Sequence, residues 1–192
     1  YRQQIDTLRN QNKAYDDAKT FADDIKAAKQ ALKDAEDTIL RNIESMINSQ
    51  MTRYNDFAYN QTRKAPEINL FDGTRYEFTT PDDTGTGTSY KSLIVFDLSI
   101  LKLTQLPTLI HDSLIFNDIG YAPLEKIMEL YTQSSKQIFI AFDKKEAPTK
   151  AIQKILDSAS ILHLSSDGNE LFGENWGRKK KDEEEDSAAP TK

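Results

Sequence analysis

Residues 84–113, TGTGTSYKSLIVFDLSILKLTQLPTLIHDS, set a small polar loop before an apolar helix and an apolar strand, and the strand ends in an acid. That order has a physical consequence. Backbone N–H groups left over at a helix N-terminus face anions such as phosphate. An open sheet binds ligands at the carboxyl ends of its strands, where an aspartate can hold Mg²⁺. The run therefore predicts an α/β fold in which the loop and Asp112 share one edge of a sheet, the arrangement of the second half of a nucleotide-handling domain.

Downstream of Asp112 the pattern continues with a helix around 124–131, an apolar strand over 137–142, a helix over 149–158 and a strand over 161–164. Within the opening run, 89–103 reads as helix, with Leu93, Val95, Phe96, Ile100 and Leu103 on a broad apolar face and Asp97 opposite. Residues 106–111 read as a buried strand that tolerates Pro107 near its start. Strands alternating with helices imply a mainly parallel sheet with flanking helices on both faces. Upstream, KAPEINLFDGTRYEFTTPDD changes the period. Ile68 and Leu70, then Asp72-Gly73, then 75–79 predict two short strands about a turn, punctuated by Pro66 and Pro81.

From Tyr1 to Tyr59 there is neither Gly nor Pro and strong helix formers dominate, so residues 1–62 are read as one long helix with its exit. Ile5, Leu8 and Tyr15, then Ile25, Ala28, Leu32, Ala35, Ile39 and Met46 follow three-four spacing, with a one-residue phase change near Phe21. This is a heptad seam. Asn12, Lys19 and Asn42 on that seam suit a two-stranded coiled coil with a partner helix better than burial in a globule. The alternative is an amphipathic helix packed on the lobe that follows. The domain reading is thus a coiled-coil helix over 1–62, an α/β lobe over 63–173, and a disordered charged tail over 174–192, RKKKDEEED at its heart.

Composition narrows the function classes. The chain has 192 residues, 38% hydrophobic and 29% charged, with a net charge of −6, which argues against a uniformly basic nucleic-acid-binding surface. Any contact with DNA then needs a local patch or a partner. The absence of cysteine excludes disulfides and thiolate metal sites. No apolar run reaches the roughly 18 residues of a membrane span, so a cytoplasmic, soluble protein is expected. Because it begins with Tyr1 on an amphipathic pattern, the chain is expected to be part of a longer protein.

Among single residues, Asp112 is the foremost candidate, as a metal-holding and catalytic acid at the end of an apolar strand. A strand also ends in Asp for turn chemistry alone. Ser113 follows it, and an unassisted hydroxyl is no general base at neutral pH. Gly85, Thr86, Gly87, Thr88 and Ser89 offer hydroxyls and amides to a phosphate, with a capped Gly-rich turn as the plainer reading. The letters GTGTSYKS nearly match G-x-x-x-x-G-K-[ST], placing Lys91 and Ser92 correctly. Tyr90 stands where that motif needs its second glycine, which disfavours a true phosphate loop. His111 and His163 lack neighbouring ligands and read as satisfied core or rim histidines. Asp118 and Asp143 complete the acids near the expected edge.

The blocks DDTGTGTSYKSLIVFDLSIL, LPTLIHDSLIFNDI and QIFIAFDK, within residues 69–172, resemble the C-terminal domain of YydD-like proteins, the bacterial domain of unknown function 2326. That family is built like coiled-coil ATPases of the SMC, RecN and RecF type. The resemblance implies the C-terminal lobe of an ABC-type head, whose N-terminal Walker A lobe lies at the far side of a long coiled coil. ATP and Mg²⁺ would be shared with that lobe, and a second head would complete a homodimer. Thr86 to Leu93 lies at the place of the signature L-S-G-G-x-K-S-L, agreeing in its K-S-L part. In that role the loop, with Lys91, meets the γ-phosphate held by the opposite head. Asp112 matches the Walker B acid and 114–118 the D-loop region. Ser113 stands in place of the usual catalytic Glu, and Asp143-Lys144 in place of a switch His, so the expectation is either slow hydrolysis or another acid, Asp118 or Asp143, positioning the water. Relatives in bacterial defence and DNA maintenance imply DNA as a further partner. The competing expectation is a non-catalytic assembly protein on an ATPase scaffold.

Overall fold

The computed structural model describes residues 1–143, 148–165 and 169–173, so the tail expected over 174–192 lies outside the described residues. The chain divides into two compact units, Tyr1–Thr149 and Lys150–Lys192. The first contains helix α1 (Arg2–Tyr59), strands β1 (Glu67–Leu70) and β2 (Tyr76–Thr79), helix α2 (Thr86–Leu103), strand β3 (Thr108–His111), a 3-10 turn (Ser113–Phe116), helix α3 (Tyr121–Thr132) and strand β4 (Gln137–Ile140). The second contains helix α4 (Lys150–Ala159) and a short 3-10 turn, Leu171–Gly173.

Helix α1 runs uninterrupted because nothing in it breaks the backbone ladder, and it stops at Asn60 in the left-handed region, φ 48°. Its seam residues Ile5, Leu8, Tyr15, Ile25, Leu32, Ile39 and Met46 are all exposed. Only a different face of its last turns, Ile47, Met51, Asn55 and Ala58, is buried. Ile47 and Met51 join Ile68 and Val95 in the core, surrounded by Tyr54, Leu70, Phe78, Phe96, Ile100 and Leu103. Phe78 and Phe96 meet at 5.3 Å between centroids, a separation at which tilted rings attract.

The hairpin β1–β2 is antiparallel, Ile68 opposite Phe78. Its turn is held by Asp72, whose Oδ1 accepts from the Thr74 amide at 2.8 Å, the Thr74 hydroxyl at 2.7 Å and the Arg75 amide at 2.8 Å. The outer edge of β1 does not stay open. Asn48 of α1 donates to the Ile68 carbonyl at 2.9 Å and accepts from the Ile68 amide at 2.8 Å, and Glu44 accepts from the Leu70 amide at 2.7 Å. Side chains of α1 thus stand in for a neighbouring strand and cover the edge.

Helices and strands alternate as expected, but the sheet they make is small. Strands β3 and β4 are parallel, Thr108 opposite Gln137 and His111 opposite Ile140, and form a two-stranded sheet of their own. One face, with Leu109, His111, Ile138 and Ile140, is covered; the other presents Ile110, 71% exposed, and Phe139, 40% exposed. The expected strand over 161–164 does not form: Ile161, Leu162 and Leu164 are exposed, and only an isolated bridge joins Ser165 to Asn169. Apolar content favours a strand, but a strand also needs a partner for its backbone groups. Helix α2 begins at Thr86 rather than 89, and Leu93, expected on its buried face, is exposed.

Candidate functional site at the carboxyl edge of the parallel strands

Asp112 follows β3 directly, and the Ala141 amide just past β4 donates to the His111 carbonyl at 2.9 Å. The chain leaving β4 then carries Asp143, so the two acids emerge from the same end of the parallel pair. Residues after Asp112 turn tightly: the Ile115 amide donates to the Asp112 carbonyl at 3.4 Å and the Ile119 amide to Phe116 at 3.3 Å. This winding is amphipathic. Phe116 and Ile119 are buried, Phe116 against the rings of Tyr131 and Phe142, while Asp112, Asn117 and Asp118 are left exposed.

The loop before α2 meets this segment at Gly87. A Cβ placed there would lie 2.4 Å from the Asp118 carbonyl oxygen, so only glycine allows the first turn of α2 to lie on the backbone at Asp118. The loop and the acid-bearing segment are therefore neighbours. Gly85 serves as N-cap without a side chain, and Ser89 donates its amide, 3.0 Å, and its hydroxyl, 3.3 Å, to the Gly85 carbonyl. Asp83 accepts from the Gly85 amide at 3.3 Å. A bond from the Thr88 hydroxyl, then that amide, hold the Asp83 carboxyl below the usual carboxylate range, with Arg63 at 3.5 Å contributing further. The exposed side chains of Thr86 and Ser89 complete the loop's outer surface.

The two polar letters that made GTGTSYKS resemble a phosphate loop face the other way. Lys91 is 2% exposed, and its Nζ donates to Asn55 Oδ1 at 3.0 Å and to the Lys64 carbonyl at 3.1 Å. Ser92 is buried and shares a 2.8 Å hydrogen bond with the Thr80 hydroxyl. Counting Gly85 as the first, positions seven and eight of this segment lie on the core side of α2 because the helix rotates about 100° per residue. Thus the structure brings together Gly85, Thr86, Gly87, Thr88 and Ser89 with Asp118, sets Asp112 and Asp143 at the same strand ends, and takes Lys91 inward.

A buried network that the linear pattern missed lies behind Asp112. His111 Nε2 meets Asp97 Oδ2 at 3.0 Å and its Nδ1 meets the Tyr131 hydroxyl at 2.6 Å. Burial first, then the Asp97 charge, push the Tyr131 phenol far above its ordinary range, so it stays neutral and can donate to an imidazole nitrogen. Asp97, expected opposite the apolar face, instead links α2 to β3, and Tyr131 links both to α3. The network fixes the strand end that carries Asp112. The one available signal was a histidine closing an apolar strand, which needs partners when buried. His163, in the second unit, meets Ser160 at 3.2 Å.

The donor chemistry bears on which groups could be held here. Among the described residues no group of three or more His, Asp or Glu is placed to hold a metal ion, so a divalent cation at Asp112 would take its other ligands from water, phosphate or another polypeptide, as Mg²⁺ commonly does. Asp83 already uses the Gly85 amide and the Thr88 hydroxyl, and the Ser89 hydroxyl serves the Gly85 carbonyl, so the Thr86 hydroxyl and the other helix-start amides are the groups that suit a phosphate. A separate cavity of about 480 Å³ lies beside the starts of β3 and β4, lined among others by Arg53, Phe57, Leu101 and Lys136. It is at the amino end of these strands, away from the acids, and Lys136 there is committed to the Leu101 and Thr104 carbonyls. No helix among the described residues is long and apolar enough to cross a membrane.

Comparison with known proteins gives one family. The model of DUF2326, described as an uncharacterised protein conserved in bacteria, matches residues 46–176, more than half of the chain. The match begins where α1 turns from an exposed helix into a packed one. No curated protein matches. A solved structure described as "Structural biochemistry of ATP-driven dimerization and DNA stimulated activation of SMC ATPases" is similar with a TM-score of 0.46 and 12% identity, covering 64% of this chain and 78% of that chain.

Proposed function

The chain belongs to the bacterial DUF2326 family, and on that premise we propose that its first unit is the C-terminal half of a split ATP-binding head of SMC or RecN type. The observation that supports this reading is the close approach of Gly87 to the Asp118 backbone, which sets the start of α2 against the segment that follows Asp112. In this reading Asp112 holds Mg²⁺ through water. Gly85, Thr86, Gly87, Thr88 and Ser89 face the γ-phosphate of ATP bound to the opposite head of a homodimer, with Lys91 positioning them from inside. The metal supplies charge neutralisation for phosphoryl transfer, and Asp118 or Asp143 orients the attacking water in place of the Glu that Ser113 displaces.

The open face of β3 and β4 supports the need for a second lobe. A two-stranded parallel sheet with Ile110 and Phe139 uncovered is half of a structure that is normally covered on both faces. The occupant in this reading is the protein's own N-terminal Walker A lobe. The exposed seam of α1 takes a partner helix, and DNA maintenance or defence is the setting, with DNA a further partner. ATP turnover in the full-length parent tests the assignment: Asp112→Asn is expected to lower it by 10²-fold or more, and unchanged turnover would remove Asp112 from the mechanism. Ser113 favours a second reading, a non-catalytic assembly head. Mg²⁺- and ATP-dependent head association without turnover in the parent would select it.

A further inference from the structure

Lys91 is a buried cation with no carboxylate in hydrogen-bond contact, an arrangement that costs more than a buried apolar residue of the same length. Burial holds its ammonium below the ordinary lysine range. What it gains is a set of contacts from one place in the chain. Asn55 lies on the penultimate turn of α1 and is fully buried; its Oδ1 accepts from Lys91 Nζ at 3.0 Å and its Nδ2 donates to the Arg63 carbonyl at 2.8 Å. The Lys64 carbonyl accepts from the same ammonium at 3.1 Å. The Tyr59 ring lies 5.4 Å below it, its phenol kept neutral by a burial-driven rise to about 12, so the ring face attracts the cation. Every hydrogen bond and ring contact of the Lys91 ammonium is therefore with the end of α1 or the segment that leaves it, while the Asp83 carboxylate adds a longer-range attraction.

A second, exposed layer repeats the connection. Arg63 pairs with Asp83 at 3.5 Å and Lys64 pairs with Asp82, so two residues of the segment that leaves α1 grip the two acids just before the Gly85–Ser89 loop. Both ends of this clasp use left-handed backbone: Asn60, φ 48°, and Gln61, φ 60°, on one side, Asp82, φ 58°, on the other. Such conformations persist for non-glycine residues where surrounding contacts over-determine them. Among the described residues no buried side-chain nitrogen or oxygen lacks a partner, so the inner network is complete.

We propose that Lys91 and Asn55 form a coupling element that makes the exit of α1 and the loop over residues 82–90 move as one body. The lever is long: the 58 residues of α1, at about 1.5 Å each, span roughly 87 Å, and a tilt of about 5° at the base moves the far end by roughly 8 Å. A displacement of the loop is thereby transmitted to the exposed seam, and movement of the seam to the loop. The functional meaning of that transmission rests on the loop facing a ligand; the mechanical link itself stands on the contacts of Lys91 and Asn55.

Amide hydrogen exchange on the 192-residue chain without nucleotide tests the link independently of ATP. Asn55→Leu alters α1 alone, and it is expected to speed exchange of the amides of residues 85–90 by about tenfold while those of 124–131 in α3 keep their rates. Lys91→Met is expected to do the reverse, exposing residues 55–64 by a similar factor. Acceleration confined to the substituted helix, or equal acceleration in α3, would overturn the proposal. Asn55→Asp keeps the size, gives Lys91 a carboxylate partner and removes the amide that donates to the Arg63 carbonyl, so it serves if the apolar variants do not fold. Faster exchange at 60–64 accompanied by changed exchange at 85–90 is expected of it, and unchanged exchange at 85–90 would also overturn the link. Loss of ATP turnover in Asp112→Asn with these exchange rates intact would separate the two assignments.

Discussion

The two ends of α1 carry similar apolar residues and use them oppositely. Toward the amino end, Leu8, Ile25, Leu32 and Ile39 lie in a row on the surface; at the other end Ile47 and Met51 are closed off by the hairpin and α2. The one helix is thus a free stripe for most of its length and a core element for its last turns. The difference teaches that apolar periodicity says which residues avoid water, and the neighbouring elements say whether they succeed. Where Asn48 and Glu44 can bond the edge of β1, α1 is anchored; before that point its seam residues are exposed.

The contrast can be broken first at Met51. Met51→Ala leaves a cavity at a site with no exposure and is expected to cost about 2–5 kcal/mol, read from urea unfolding. A cost below 0.5 kcal/mol would mean that the base of α1 is not part of the core. Next in size is Gly87→Ala, which forces the Asp118 carbonyl away from a Cβ 2.4 Å distant and is expected to cost about 1–3 kcal/mol. Chemical-shift changes should then concentrate at residues 117–120. A variant as stable as the parent with shifts unchanged there would remove the contact that joins loop and acids. Smallest is Leu32→Ala, at a side chain 61% exposed, expected to change the chain's own stability by less than about 0.5 kcal/mol. If α1 pairs with a partner helix as proposed, the same change should weaken that pairing, seen as a lower helix melting temperature by circular dichroism of the paired form. A large loss in the isolated chain would show the stripe to be already covered.

Much of the fold was legible where local physics is strict. The absence of Gly and Pro to Tyr59 gave the long helix, the Asp72 side chain gave the hairpin turn, and the apolar run ending in Asp112 gave β3. The candidate edge was legible in outline, since parallel strands release their chains at one end. Lys91 and Ser92 were harder to place. A motif is a line of letters, and the rotation of α2 that turns these two toward Asn55 and Thr80 depends on which face the hairpin and α1 cover. Asp97 was hidden for the same reason, because the partner that draws it inward, His111, is 14 residues away. The run at 161–164 shows the converse, apolar letters without a partner strand.

By itself the sequence determined the long helix, the hairpin turn, the order of the elements as far as α4 and the acid that closes β3, because these follow from propensity, backbone freedom and periodicity over a few residues. Tertiary structure alone decided that Gly87 makes room for the Asp118 backbone, that Lys91 ties α2 to the end of α1, and that one face of β3 and β4 stays open. Each of those is a contact between residues distant in the chain, and such contacts arise only when packing selects one face of each element.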